Sequence, residues 1–202
     1  MMMKNWLLSF FILALSLNTF AQKPEIIMPD GHSLHVEKTI LDQQGKYLYT
    51  FEEQKCIMWD ANTRMQLYTF RPGKIEEISV SPDGKSLLIL CGGNIYLYST
   101  ISGQLIKATT GYNDYKGVLF ADDSKQIYTI KDGYLHVLSP NLDKVFNIKL
   151  NFTSIGSLHL LPNKKILIIG HSAAETYDPI TKSFTAKLLV TPPHRPGGQA
   201  QY

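Results

Sequence analysis

Residues 78–100 read ISVSPDGKSLLILCGGNIYLYST and contain three short strand-like runs separated by two turns. The first turn is Ser81-Pro82-Asp83-Gly84, in which proline fixes φ at a central position and glycine accepts the positive φ that ends the turn. The next run, residues 87–91, is continuously apolar, which indicates a strand covered on both faces. The second break, Gly92-Gly93, makes this segment a β-hairpin.

The same order of apolar runs and turns occurs four times along the chain, with a period of about 40 residues. The turn positions are Gly45, Gly84, Ser124 and Lys164, and the third strands end at Trp59, Tyr98, Leu138 and Tyr177. Four-stranded propeller blades and helical repeat arrays both have this period. Runs rich in Leu, Ile, Tyr and Thr, bounded by Gly, Pro, Asn and Asp and lacking a 3.6-residue periodicity, indicate strands.

Each unit continues past its third strand with a polar turn and a fourth apolar run. The fourth runs are residues 65–70, 104–109, 144–150 and 183–189. Residues 36–190 are therefore predicted to be all-β, with four β-propeller blades of four antiparallel strands each.

The four units resemble the repeats of the WD-repeat family. Gly31-His32 opens the first unit, Trp59-Asp60 closes its third strand, and the turn at residues 81–84 lies where that family has its first turn. The resemblance covers about residues 31–190 and implies a β-propeller. The repeat-signature residues are Gly31, His32, Trp59, Asp60, Ser81, Pro82, Asp83 and Gly84.

Blades of this family often contain a buried hydrogen-bonded network of a His, a turn Asp, a Ser or Thr, and the Trp. In the first unit, Glu53 and Lys55 stand at the Asp and Thr positions. The sequence therefore predicts that this network does not form.

The number of blades indicates an incomplete propeller. WD-repeat rings more often contain seven blades than four, and an open arc leaves two blade faces and two strand edges uncovered. Self-association through these open blade edges is one way to cover them. The Pro- and Gly-rich residues 191–202 have no strand pattern and are interpreted as a tail or linker.

The first 21 residues have the parts of a secretory signal peptide. Lys4 gives a positive start, residues 6–17 are apolar, and small residues precede Gln22. The apolar core is shorter than the roughly 20 residues that span a bilayer, so we expect no stable membrane insertion. The mature chain is predicted to begin at Gln22, with residues 22–35 as a lead-in, and to be exported to the periplasm or the extracellular space.

A second resemblance concerns residues 21–32 and the first blade. They resemble the start of exported bacterial proteins in which WD repeats precede a caspase-like peptidase domain. The His and Cys motif contexts of that domain are absent from this sequence. This resemblance implies that the chain is the targeting or regulatory arm of such a peptidase.

The sequence carries no catalytic, metal-binding or cofactor-binding pattern that we recognise. The six histidines lack zinc-ligand spacing, and no nucleophile elbow, His-Glu-x-x-His motif or phosphate-binding glycine loop occurs. Adjacent acidic pairs such as Glu52-Glu53 point to opposite faces of a strand and are interpreted as solvated rims. The 20 basic residues are dispersed and the net charge is +3, so nucleic acid is not an expected partner.

Two cysteines, Cys56 and Cys91, fall near the same end of neighbouring units. An exported protein can oxidise such a pair to a disulfide. The alternative is two separately buried small apolar residues, because spacing alone does not set the Cα separation that a bridge requires.

These observations favour a non-catalytic scaffold whose partner is another protein. The alternative is the arm of a caspase-like peptidase. An autonomous propeller enzyme of the lactonase or lyase type is a third hypothesis. It would use polar residues of the innermost strands, of which the sequence offers Glu37, Glu76, Glu77 and His159.

Overall fold

A computed structural model describes residues 31–109, 111, 113–151, 155–171 and 173–189 of the 202-residue chain. The predicted signal peptide (residues 1–21), residues 22–30 of the predicted lead-in and the predicted tail (residues 191–202) lie outside the described residues. The described residues belong to one compact unit.

Sixteen strands in the described residues form four sheets, each of which is one blade. Blade 1 consists of β1 (Lys38–Leu41), β2 (Tyr47–Glu52), β3 (Lys55–Asp60) and β4 (Gln66–Phe70). Blade 2 consists of β5 (Ile75–Val80), β6 (Ser86–Cys91), β7 (Asn94–Ser99) and β8 (Leu105–Ala108). Blade 3 consists of β9 (Lys116–Phe120), β10 (Ile127–Lys131), β11 (Tyr134–Leu138) and β12 (Lys144–Lys149). Blade 4 consists of β13 (Ile155–Leu160), β14 (Ile166–Gly170), β15 (Ala173–Asp178) and β16 (Ser183–Leu189).

Within every blade the strands pair in chain order and antiparallel. The all-β prediction and the division into four four-stranded blades are therefore confirmed. The first strand begins at Lys38, two residues after the predicted start of the repeats at residue 36.

The four predicted turn positions share one backbone conformation. Gly45, Gly84, Ser124 and Lys164 have φ values of 68°, 70°, 58° and 64°. Each donates its backbone N–H to the carbonyl three residues earlier, at 2.8–3.1 Å. The repeat thus keeps a left-handed turn residue even where the sequence has no glycine, at a cost of about 1–2 kcal/mol for each side chain held there.

Neighbouring blades share apolar cores. One buried cluster lies between blades 1 and 2, a second between blades 2 and 3, and a third between blades 3 and 4. We call the side of a blade that packs on the next blade in the chain its forward face, and the opposite side its backward face. Since side chains alternate along a strand, each central strand contributes to both faces.

The forward faces of blades 1 to 3 are fully covered. Their positions on the second and third strands are Tyr49, Phe51, Cys56 and Met58 in blade 1, Leu88, Leu90, Ile95 and Leu97 in blade 2, and Tyr128, Ile130, Leu135 and Val137 in blade 3. None of these side chains is more than 3% exposed. Three layers of this kind hold the arc together.

The arc is not closed. In the described residues, no core cluster joins blade 4 to blade 1. The innermost strands β1, β5, β9 and β13 line a shared central cavity of about 280 Å³. The prediction of an incomplete propeller is confirmed.

Candidate interaction surface

Two repeat-signature residues of blade 1, His32 and Trp59, belong to a hydrogen-bonded network. His32 Nε2 lies 2.6 Å from the hydroxyl oxygen of Thr50, and the indole N–H of Trp59 donates to the same oxygen at 2.7 Å. The prediction that this network does not form was therefore wrong. The hydroxyl comes from Thr50 on β2 and not from the position of Lys55, where the family pattern predicted it.

Glu52 supplies the acidic member of this network. Its carboxylate accepts the backbone N–H groups of Ser33 and Leu34 at 3.0 and 2.8 Å, and it lies 3.2 Å from His32 Nδ1. The interpretation of Glu52 as a solvated rim residue was also wrong, because its side chain is only 4% exposed. Its neighbour Glu53, in the turn after β2, is 46% exposed.

The surroundings of Glu52 favour its charged form. Burial alone would raise the pKa of this carboxyl, but the hydrogen bonds from Leu34, His32 and Ser33 and the nearby ammonium of Lys55 lower the pKa to about 2. The buried Lys55 lies 3.4 Å from Glu52 and also donates to the carbonyl of Gly31. This ion pair ties residues 31–34 to blade 1.

The remaining signature residues hold turns. Asp60 accepts the backbone N–H groups of Asn62 and Thr63 at 3.0 and 2.8 Å, and the bond from Thr63 is the main cause that lowers its pKa. Ser81 donates its hydroxyl to Asp83 at 2.6 Å, next to Pro82 and ahead of Gly84. These residues set loop geometry, and Asp83 and Gly84 also line a groove between blades 1 and 2.

The turns between first and second strands and between third and fourth strands lie at one end of the blades, because the strands are antiparallel. We call this end the turn face. Two grooves open on it, each between neighbouring blades. The first groove, between blades 1 and 2, has a volume of about 390 Å³, and the last groove, between blades 3 and 4, about 320 Å³.

The two grooves occupy equivalent places in the repeat. Ile101 borders the first groove and Ile180 the last, 79 positions apart, which is two repeats. Both isoleucines sit in the turn after the third strand, and they are 72% and 89% exposed. Sequence reasoning missed them, although their shared repeat phase and their position inside polar turns were visible.

The first groove has an aromatic and apolar wall with basic residues around it. Tyr68 donates its hydroxyl to the carbonyl of Ile101 at 2.7 Å, which joins the two blades at this point. Leu67 and Tyr47 continue the apolar surface. Lys46 extends over the Tyr47 ring, with Nζ 4.7 Å from the ring centre.

The last groove carries paired charges. Lys164 lies 2.9 Å from Asp122 across the boundary between blades 4 and 3, and Lys165 lies 3.2 Å from Asp178. Asp178 also accepts the backbone N–H of Ile180 at 2.9 Å, and that bond is the largest cause that lowers the pKa of Asp178. The carboxylate thereby fixes the turn that presents Ile180.

The residues named for an enzymatic hypothesis are only partly brought together. Glu77 and His159 both line the central cavity, but Glu77 is ion-paired with Lys38. Glu37 and Glu76 are exposed and do not line this cavity.

Cys56 and Cys91 are both free thiols in this structure, and both are buried. Burial raises the pKa of Cys56 to about 12. Cys91 lies under Gly73, close enough that a Cβ at that glycine would be 3.0 Å from its sulfur.

In the part of the chain that the structure describes, no group of three or more His, Cys, Asp or Glu side chains is placed to hold a metal ion. The same residues contain no helix with the length and apolar character needed to cross a bilayer.

Solved structures that share this fold include the following two. The structure of U3-55K matches with a TM-score of 0.67 and 16% sequence identity, over 77% of this chain and 52% of that one. The crystal structure of the RRP9 WD40 repeats matches with a TM-score of 0.67 and 18% identity, over 79% of this chain and 52% of that one. No family profile and no curated protein matches the sequence. The chain therefore has the fold of WD-repeat propeller blades and spans about half the length of these two structures.

Proposed function

We propose that this chain, an open arc of WD-repeat-like blades, is an exported non-catalytic scaffold that binds another protein through its turn face. The observation that carries the proposal is the pair of equivalent grooves bordered by Ile101 and Ile180. Exposed apolar side chains beside concave surfaces with polar rims are typical of protein interaction sites.

The grooves differ in charge, which suits a partner that contacts both. The lysines of the last groove are paired with aspartates. Around the first groove, Lys46 and Lys85 are exposed, and the one nearby carboxylate that lines it, Asp83, is held by Ser81 and the Lys85 backbone. A partner with an acidic segment next to an apolar side chain fits the first groove best.

The test is capture of partners from a periplasmic or extracellular extract of the source cells, followed by mass spectrometry. Ile101→Asp and Ile180→Asp should each reduce recovery of the same captured protein by at least about tenfold, the effect of losing a well-placed apolar anchor. Ile106→Asp is the matched control. Ile106 is 54% exposed on the outermost strand of blade 2 and lines neither groove. Equal capture by all four proteins would refute binding at the turn face.

A second candidate is the arm of a larger caspase-like peptidase. It is supported by the resemblance of residues 21–32 and by the match to only about half of each solved WD-repeat structure. Intact-mass measurement of the endogenous protein tests it, because an arm of this kind would be part of a product well above 22.8 kDa.

The proposed export can be tested by sequencing the N-terminus of the mature protein. We propose that cleavage follows Ala21, so the N-terminal sequence of the mature protein should begin with Gln22-Lys23-Pro24. Recovery of an intact Met1 from the cytoplasmic fraction would contradict this.

The non-catalytic part of the proposal is supported at the central cavity. Lys38 engages Glu77, the acidic side chain best placed among those suggested for an enzyme. A hydrolase or lyase needs a second positioned acid or base beside it. The other titratable groups that line the cavity include His159 and Asp42, and Asp42 is held in its turn by the backbone N–H groups of Lys46 and Tyr47.

A further inference from the structure

We propose that two copies of this chain close a ring of eight blades, with the forward face of blade 4 in each copy packing on the backward face of blade 1 in the other. The proposal rests on the two end faces of the arc and does not depend on the grooves of the turn face.

The forward face of blade 4 repeats the pattern of a covered face but is not covered. Leu167, Ile169, Ala174 and Thr176 stand at the positions that are at most 3% exposed in blades 1 to 3. In blade 4, Leu167, Ile169 and Thr176 are half-buried, and Leu188 beside them on β16 is 65% exposed. None of these side chains is charged, so the face is suited to another apolar blade face.

The backward face of blade 1 is the matching surface. Leu48 is half-buried, whereas Leu87, Ile127 and Ile166 at the same position of blades 2 to 4 are at most 1% exposed. Leu41, on the innermost strand, is 54% exposed, whereas Phe120 at the same position of blade 3 is 3% exposed. Beside the innermost strands, both ends of the arc therefore lack the neighbour that the same positions have elsewhere. Farther out on blade 1, Glu52, Lys55 and Ile57 are already buried, and residues 31–34 bind to Glu52 and Lys55 there.

The size of the arc favours a second copy as that neighbour. The chain covers 52% of each of the two solved WD-repeat structures, so a second arc of this length would bring the assembly to about the size of either structure. Two arcs of four give eight, which is within the range of known propellers. A two-fold axis would make both new interfaces identical and leave no open face, so assembly stops at two copies.

The repeat also predicts which residues meet across the new interface. Between blades 2 and 3, the hydroxyl of Ser79 accepts the backbone N–H of Phe120 at 3.1 Å. In blade 2, Ser79 pairs with Leu88 on the second strand. The equivalent pair in blade 4 is His159 with Leu167, so His159 occupies the position of Ser79. In blade 3, Phe120 pairs with Ile127. The equivalent pair in blade 1 is Leu41 with Leu48, so Leu41 occupies the position of Phe120. We therefore expect His159 of one copy to lie against Leu41 of the other.

The first measurement is sedimentation velocity of the purified full chain between about 1 and about 100 µM, a range in which specific interfaces associate. The expected result is a species of twice the 22.8 kDa chain mass. A single-chain mass throughout this range, from a sample with β-sheet circular dichroism, would overturn the proposal.

Variants then decide whether a dimer uses these faces. His159→Glu and Leu41→Lys should each raise the dimer dissociation constant by at least about a hundredfold, because each leaves an unpaired charge in an apolar interface. Both positions are exposed in the single chain, so the fold should be retained. Ile106→Glu, on the outer strand of blade 2, is the control and should leave the dimer unchanged.

An equimolar mixture of His159→Glu and Leu41→Lys is the decisive sample. In a closed pair of these two chains, one interface joins the glutamate to the lysine and the other is native. The mixture should therefore dimerise where each variant alone does not. If the variants stay dimeric, or if the mixture stays monomeric, then the two faces do not meet.

Discussion

His32 and Glu52 lie 20 residues apart in the sequence, and their side chains meet 3.2 Å apart at the backward face of blade 1. The contact fastens the segment ahead of β1 to the end of β2. Glu52 also accepts the backbone N–H groups of residues 33 and 34, so the contact depends on a charged carboxylate.

The free energy of unfolding should decrease as the pH is lowered through the range in which Glu52 becomes protonated. Its folded pKa of about 2 is below the ordinary value of 4.5, so its contribution is fully present above about pH 5 and is lost as the pH falls towards 2. Urea denaturation at pH 7, 5 and 3 should show that Glu52→Gln lowers the midpoint at pH 7 and that the gap to wild type narrows at pH 3. Glu53→Gln is the control, and a gap that is constant with pH would contradict the assignment.

Removing the shared hydroxyl should destabilise blade 1. Thr50→Val keeps the shape of the side chain but leaves the Trp59 indole N–H and the imidazole of His32 without their acceptor or donor. We expect a loss of about 1–3 kcal/mol in the free energy of unfolding, measured by urea denaturation. Thr39→Val, at an exposed position of β1, should change it by less than about 0.5 kcal/mol.

The turn after the third strand offers a test of backbone strain. Arg64 has φ 60° and Gly103, its counterpart in blade 2, has φ 70°. Arg64→Gly should stabilise the chain by about 0.5 kcal/mol, since relief of the left-handed strain exceeds the added entropy of the unfolded chain. Thermal denaturation measures the shift, and a lower melting temperature would contradict it.

Adding a side chain at Gly103 should destabilise the folded chain. A Cβ at Gly103 would lie 2.4 Å from the Tyr68 ring, so Gly103→Ala adds a steric clash to the backbone strain. The loss should exceed about 2 kcal/mol. Gly133→Ala is the matched control, because Gly133 has φ 76° but nothing within 4 Å of the added Cβ.

Cys56 should be inert towards thiol reagents in the folded protein. Its side chain is 0% exposed, and burial raises its pKa to about 12, so very little reactive thiolate is present at neutral pH. Titration with a chromogenic disulfide at pH 8 should detect two thiols in urea without reductant and no Cys56 in native buffer. Detection of no thiol in urea would show that Cys56 and Cys91 are bridged.

The repeat made the architecture predictable, since turn residues and apolar runs recur locally every 39 or 40 positions. Even the left-handed conformation of Lys164 follows from its alignment with Gly45 and Gly84. The Glu52 network was not predictable in the same way, because it depends on how residues 31–34 fold back onto β2. Ile101 and Ile180 were missed for a related reason: a sequence shows that a turn residue is apolar but not that a groove opens beside it.

The three apolar layers between blades determine which blades unfold locally first. Each layer belongs to two sheets at once, so no blade has a core of its own and stability accumulates towards the middle of the arc. Blades 2 and 3 are held from both sides, whereas blades 1 and 4 are held from one. In a single, unassociated chain, amide hydrogens in β6 and β10 should therefore exchange with solvent most slowly and those of β14 faster, so that thermal motion opens the arc from its ends inward.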